Sequence, residues 1–157
     1  MSVVATGKRG GLYLTFVLQN EQYGLEILKV NAILGLMPIT PLPHAPHYVK
    51  GVINLRGKII PVIDMRLRFD MPEAEYTQAT CIIVIDVGTT LIGVIVDTVK
   101  DVINVADDQI EDPPRYGSAM DSEHIRGLGK IGRDVKILLD IDKLVSDLDV
   151  GGLMPIR

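Results

Sequence analysis

The sequence has no tryptophan, two phenylalanines and five tyrosines, so aromatic side chains make up only 4% of it. It has one cysteine and three histidines. A single thiol makes no internal disulfide, which suits a reducing compartment such as the cytoplasm. One thiol and three imidazoles are also a poor donor set for a metal. His44 and His47 stand three apart in a proline-rich stretch and His124 is remote from both. Cys81, inside an apolar run, reads as a small core residue. No apolar run reaches the about 20 residues a membrane-spanning helix needs. The closest, Cys81 to Val96, is broken by Asp86, Gly88, Thr89 and Thr90. The N-terminal MSVVATGKRGG lacks the apolar stretch of a secretory leader, so none is expected.

Aliphatic residues are plentiful instead. Hydrophobic residues make up 47% of the 157, and mean hydropathy is +0.27. Isoleucine, valine and leucine can fill a sizeable core without large rings. The net charge is −4 and the pI about 5.3, a mild acidic bias that disfavours non-specific nucleic-acid binding. The charge is uneven. Lys50, Arg56, Lys58, Arg66 and Arg68 share a stretch in which Asp64 is the lone acid, and Asp107, Asp108, Glu111 and Asp112 form an acidic stretch further on.

Periodicity predicts strands along most of the chain. Residues 1–11, small and Gly-rich, read as a loose tail. Leu12 to Leu18, Tyr23 to Ile27 and Val30 to Leu36 read as extended runs. Pro38, Pro41, Pro43 and Pro46 then forbid helix and central strand, so a surface loop follows. Thr80 to Val87, Leu91 to Asp97, Val99 to Val105 and Lys136 to Ile141 are further strands. Ile125 to Ile131 is Gly-rich, in a β context. Asp107 to Asp121, with Pro113 and Pro114 at its middle, is a loop. Met65 to Asp70 reads as either a short helical turn or a strand end. Asp142 to Leu148 has the spacing of one short amphipathic helix. Short strands at near-regular spacing predict an all-β protein of small barrels or a sandwich.

The chain also repeats itself. Tyr23-Gly24-Leu25-Glu26-Ile27 lies on Ile92-Gly93-Val94-Ile95-Val96. In the same frame Val30 meets Val99, Ile33 meets Val102 and Leu34 meets Ile103. After an insertion that the Asp107–Asp121 loop can supply, Gly51 meets Gly127 and Asp64 meets Asp140. Two similar β units are therefore expected, roughly residues 12–78 and 79–150, with possible exchange of a strand or helix. A core of about 60 residues is marginal alone, so the two should share an apolar seam.

The stretch Tyr48 to Arg68 stands out. Val52 to Leu55 and Ile59 to Ile63 are β-branched runs around Arg56-Gly57-Lys58, the pattern of a hairpin with its turn at the glycine. Arg56 would then sit on a rigid, exposed tip with no acid beside it in sequence, as a contact point for another molecule. An enzyme should show its acid, base or nucleophile, and no such constellation is apparent. Asp64 and Asp140 end equivalent strands and read as structural. Ser118 and Ser122 have no histidine placed to activate them, and the glycines at 127, 129 and 132 do not lead into a phosphate-binding helix. A nucleic-acid-binding small barrel is the alternative reading, using the basic stretch. Single strands want aromatic platforms, and Tyr48 alone lies near those basic residues.

Val49-Lys50-Gly51-Val52-Ile53-Asn54-Leu55-Arg56-Gly57, followed by Pro61-Val62-Ile63-Asp64-Met65-Arg66, closely resembles the CheW family of chemotaxis coupling proteins. Tyr23 to Val30, Gly93 to Asp101, and Ile125 to Leu128 with Lys136 to Leu144 resemble it too, so the likeness runs from about Tyr13 to Val145. The resemblance implies two SH3-like five-stranded barrels packed side by side, with one or two short helices and no catalytic activity or cofactor. It implies a cytoplasmic adaptor, recruited to membrane receptor arrays without inserting in the bilayer. Its partners would be the cytoplasmic tips of methyl-accepting chemotaxis receptors and the regulatory domain of the histidine kinase CheA. A parallel array controlling pili or gliding is an equivalent setting. By the same resemblance Arg56 takes the place of the hairpin arginine that bears on coupling. Val30 and Ile33 fall in the block tied to kinase and receptor contact, and their repeat partners Val99 and Val102 would line a groove for the receptor. The chain departs from many relatives at Ala32, where they carry an acid.

Overall fold

The computed structural model describes residues 9–88, 90–113 and 124–146. Most of the expected tail, the loop beyond residue 113 with Ser118 and Ser122, and the end of the expected helix at Leu148 lie outside the described residues.

Eleven strands and two short helices make up the described chain. They run β1 (Gly11–Leu18), β2 (Glu21–Glu26), β3 (Val30–Gly35), β4 (Val49–Leu55), β5 (Lys58–Asp64), α1 (Met65–Arg68), β6 (Cys81–Asp86), β7 (Leu91–Val96), β8 (Thr98–Val105), β9 (Ile110–Glu111), β10 (Ile125–Ile131), β11 (Asp134–Leu139) and α2 (Ile141–Ser146). Single 3-10 turns at Ile27–Lys29 and Asp107–Gln109 link neighbours. The ambiguous segment after the hairpin is helical because Asp64 caps it. Its Oδ1 accepts from the backbone N–H groups of Arg66 and Leu67.

The strands form two sheets, ordered β8-β1-β2-β11-β10-β9 and β3-β6-β7-β5-β4. Laid out by the internal repeat, the orders coincide: β8 answers to β3, β1 to β6, β2 to β7, β11 to β5 and β10 to β4. Each sheet is antiparallel except for one parallel pair, β2 with β11 and β5 with β7. The parallel registers match as well, Gly24 opposite Leu138 and Gly93 opposite Val62. A Cβ on Gly24 would meet a Leu138 methyl at 3.0 Å, and one on Gly93 would meet methyls of Ile82 on β6 at 3.0 Å and of Val62 at 3.4 Å, so close neighbouring side chains explain both glycines. The sixth strand, β9, pairs Glu111 with Leu128. Its counterpart in the other sheet is a lone bridge from Thr40 to Val52, by which the proline-rich segment returns to β4.

Neither sheet comes from one half of the chain. β1 and β2 pair with strands of the second half, and β6 and β7 with strands of the first. The buried residues divide to match. Among the described residues, the interior of the β3–β7 sheet holds six, including Ile53, Ile60 and Ile82, and that of the other sheet four, Tyr13, Val105, Ile110 and Leu138. Seventeen more, from both sheets and both helices, form the seam between them. Phe16, Tyr23 and Phe69 stack there in series at centroid distances of 5.8 and 6.2 Å. At about 1.5–3 kcal/mol for each large side chain buried, the seam outweighs either interior, so the two sheets should unfold together.

An ion pair reinforces the joint between strands and α1. Arg66 Nε and Nη2 hold the two Asp97 carboxylate oxygens at 2.8 and 2.5 Å, and Arg66 Nη1 donates to the Pro72 carbonyl. Asp97 also accepts from the Gln19 backbone N–H, and its own N–H donates to the Val17 carbonyl. Desolvation pushes the Asp97 carboxyl up, but the Arg66 and Gln19 hydrogen bonds and the guanidinium charge outweigh it and hold the acid below its usual range. A depressed folded-state pKa adds stability above the unfolded-state value and loses it as pH falls through the folded-state value. Asp97→Asn is therefore expected to lower the melting temperature at pH 7 and to flatten its dependence on pH below about 4. Equal melting-temperature losses for wild type and variant between pH 5 and 3 would remove the pair from the acid response.

Candidate docking edges and hairpin

β4 and β5 meet in a two-residue turn at Arg56 and Gly57, whose φ angles are 53° and 86°. Both central residues lie in the left-handed region, as a tight hairpin of matching twist requires. Asn54 Oδ1 accepts the Gly57 N–H at 2.7 Å and locks the turn. Arg56 is exposed and makes no ion pair among the described residues. Behind it lies a cleft of about 310 Å³ lined by Met37, Pro38, Thr40, Val52, Ile53, Asn54 and Ile59, with Ile59 half exposed.

The other four candidate residues stand on one edge strand of each sheet, Val30 and Ile33 on β3, Val99 and Val102 on β8. In a regular strand, residues three apart face opposite ways. Here they do not. Val30 lies opposite Ile85 and Ile33 opposite Ile83, a step of three on β3 against two on β6. Val99 lies opposite Phe16 and Val102 opposite Leu14, the same mismatch. A bulge in each edge strand absorbs the extra residue and turns both members of the pair to one face. That face is the seam's, since Ile83, Ile85, Leu14 and Phe16 all belong to the seam cluster. Val30 and Val99 pack against that cluster, while Ile33 and Val102 stay 46% and 48% exposed at its margin. The structure thus puts the two pairs in equivalent places and keeps Arg56 apart from them on a hairpin. Sequence reading missed the bulges. The odd spacing of the apolar pairs on strands was the available signal.

Three residues of the basic stretch are engaged within the chain. Lys50 pairs with Glu73 at 3.1 Å, Arg66 with Asp97, and the Arg68 guanidinium sits 5.7 Å from the Tyr48 ring centre. The acidic stretch is likewise engaged. Asp107 accepts from the backbone N–H groups of Arg9 and Gly10, Asp112 pairs with the Arg9 side chain, and Glu111 pairs with Lys130. Asp64 is buried and its second oxygen accepts from the Tyr76 hydroxyl at 2.7 Å. Burial, that hydrogen bond and the neighbouring charge push the Tyr76 phenol strongly up, so it stays a donor. A cleft of about 250 Å³ lies beside Asp64, but the carboxylate is committed on both oxygens. Asp140 starts α2 by accepting from the Lys143 N–H at 3.1 Å. Both aspartates are helix caps. Among the described residues no group of three or more histidine, cysteine or acidic side chains is placed to hold a metal. No described helix is long and apolar enough to cross a membrane.

Comparison with known proteins agrees with this geometry. Residues 12–149 match the family model described as CheW-like domain. The chain is 40% identical over 137 residues to the chemotaxis protein CheW of Klebsiella aerogenes, covering 87% of this chain and 82% of the relative. It is 29% identical over 136 residues to protein FrzA of Myxococcus xanthus, covering 85% and 84%. Among solved structures, the scaffolding protein TtCheW of Thermoanaerobacter tengcongensis superposes with a TM-score of 0.80 at 33% identity, covering 87% of this chain and 92% of the other.

Proposed function

This chain belongs to the CheW-like family, and from that premise we propose that it is a non-catalytic adaptor coupling methyl-accepting chemotaxis receptors to the histidine kinase CheA within a membrane-associated array. The observation that carries the reading is the pair of bulged edge strands, each turning two apolar side chains to the margin of the seam. Exposed apolar residues on a rigid rim suit the side of a helical hairpin, the form of a receptor's cytoplasmic tip. Apolar burial would drive that contact. The exposed Arg56, with the cleft beside Ile59, suits a second partner, the kinase's regulatory domain, to which a planar guanidinium adds register and a charge-assisted hydrogen bond. Two separate surfaces let one chain hold both proteins. The hydrogen bonds of Asp64 and Asp140 support a capping role for both carboxylates rather than a catalytic one. Three of the five basic residues, Lys50, Arg66 and Arg68, face partners within the chain, which weighs against a nucleic-acid-binding patch.

Ile33→Asp and Val102→Asp test the reading, because both side chains are about half exposed and tolerate charge without loss of core. Pull-downs against a receptor signalling tip and against the kinase regulatory domain are run separately. The expected result is a loss of receptor-tip binding of about tenfold or more, equivalent to about 1.4 kcal/mol, with melting temperature retained. Wild-type affinity for both partners in both variants would defeat the edge assignment.

A further inference from the structure

The two bulges are held by different chemistry, and the difference falls on a residue that neither touches a partner surface nor belongs to the apolar core. Thr15 sits in the one-residue gap between Leu14 and Phe16, across from Lys100 and Asp101, where β8 carries its extra residue. Its side chain is fully buried. The hydroxyl lies 2.9 Å from the Asp101 carbonyl oxygen and 2.7 Å from Asp101 Oδ1 as donor, and accepts the Asp101 N–H at 3.1 Å. One hydroxyl therefore accepts the Asp101 amide and shares its single proton between the Asp101 carbonyl and carboxylate oxygens, giving partners to backbone groups that the bulge takes out of the strand ladder. In the other sheet the equivalent of Thr15 is Val84 and the equivalent of Asp101 is Ala32. They face each other as an apolar pair beside the interior of that sheet.

We propose that Thr15 and Asp101 form a clasp that fixes the β8 bulge, so that Thr15 is a positioning residue holding Val99 and Val102 on one face. Without the clasp, β8 can recover regular pairing by a one-residue slip, and that slip turns one valine of the pair away from the seam. The β3 edge needs no such device, since Ala32 and Val84 pack without a polar group to satisfy. The two rims are then unequal, one locked by hydrogen bonds and one by packing. The clasp stands on geometry alone. Its effect on partner binding rests on the reading of β8 as a receptor-docking edge.

The test compares Thr15→Val, which keeps shape and loses the hydroxyl, with Thr15→Ser, which keeps the hydroxyl. Should the buried substitution prevent folding, Asp101→Ala removes the carboxylate arm of the clasp from its exposed side and leaves the two backbone arms, so its effect should be smaller but in the same direction. Register is read from nuclear Overhauser contacts of Val102 with Leu14 and of Val99 with Phe16, and from hydrogen exchange at the Asp101 amide. Binding is read with a soluble receptor signalling tip and with the kinase regulatory domain. In Thr15→Val the Val102–Leu14 contact should weaken, the Asp101 amide should exchange at least about tenfold faster, and receptor-tip affinity should fall about tenfold with kinase-domain affinity unchanged. Thr15→Ser should restore all three. Intact register and protection in both Thr15→Val and Asp101→Ala overturn the clasp and leave the docking edge standing. Lost register with unchanged receptor-tip affinity overturns the positioning role, and with it the assignment of β8 as the receptor's edge.

Discussion

Arg56→Asn is expected to leave the protein as stable as the parent, or more stable by up to about 1 kcal/mol, while abolishing receptor control of the kinase. The turn explains both halves. Arg56 holds φ at 53°, a conformation that costs most side chains about 1–2 kcal/mol and that asparagine and glycine adopt readily. Folding alone would place Asn-Gly here. The guanidinium recovers nothing locally, since it is exposed and lacks an ion pair among the described residues. An arginine standing against the preference of its own turn, with no ion pair among the described residues to offset the strain, is what the proposed contact outside the chain would account for. The substitution removes that contact and relaxes the turn at once. Arg56→Lys separates charge from shape, because lysine keeps the charge and loses the planar fork, and it should retain only part of the coupling. Denaturant unfolding measures stability, and phosphorylation in a reconstituted receptor–kinase mixture measures coupling. Full kinase control in Arg56→Asn would end the proposed role. A fall in stability beyond about 1 kcal/mol would show that the arginine serves the hairpin instead.

The β character of the chain was legible because it is written locally. Ile59 to Ile63 and Cys81 to Val87 are rich in β-branched residues, and four prolines after Leu36 close off any other reading of that segment. The duplication was legible through Gly24 and Gly93, whose spacing turned out to mark the two parallel crossings. What joins distant parts was not legible. Tyr23 pairs with Ile137, and no local pattern selects that parallel partner over any other apolar strand. Lys50 and Arg66 read as free cations because Glu73 and Asp97 lie far along the chain. The four apolar site residues were reached by resemblance and by repeat, not by face. Only the bulges explain why residues three apart on a strand share a face, and a bulge arises from pairing with a second strand, which a single segment does not encode.

The largest stability loss is expected at Gly51→Ala. Gly51 holds φ at +145°, and a Cβ there would lie 2.0 Å from the Thr40 carbonyl oxygen and 2.6 Å from its carbonyl carbon. Those atoms are backbone, fixed by paired hydrogen bonds of 2.9 Å between Thr40 and Val52. No rotamer change relieves the clash, so the bridge must open, and with it the return of the proline-rich segment to β4. Two hydrogen bonds at about 1 kcal/mol each and a φ strain of about 1–3 kcal/mol put the cost at about 3–5 kcal/mol. For a chain of this length that lowers the melting temperature by roughly 10 °C. Two further glycines calibrate the claim. Gly57, at +86° with open space around it, should cost about 1 kcal/mol as alanine, from strain alone. Gly127, the repeat partner of Gly51, would meet the Ile110 side chain at close range with no positive φ to strain it, and a methyl can move where a carbonyl cannot. The expected order of loss is Gly51, then Gly127, then Gly57. If Gly51→Ala melts within about 2 °C of the parent, the Thr40 bridge does not hold the proline-rich segment against β4 in solution. The cleft beside Ile59, which that bridge walls, would then lose its shape as a docking surface.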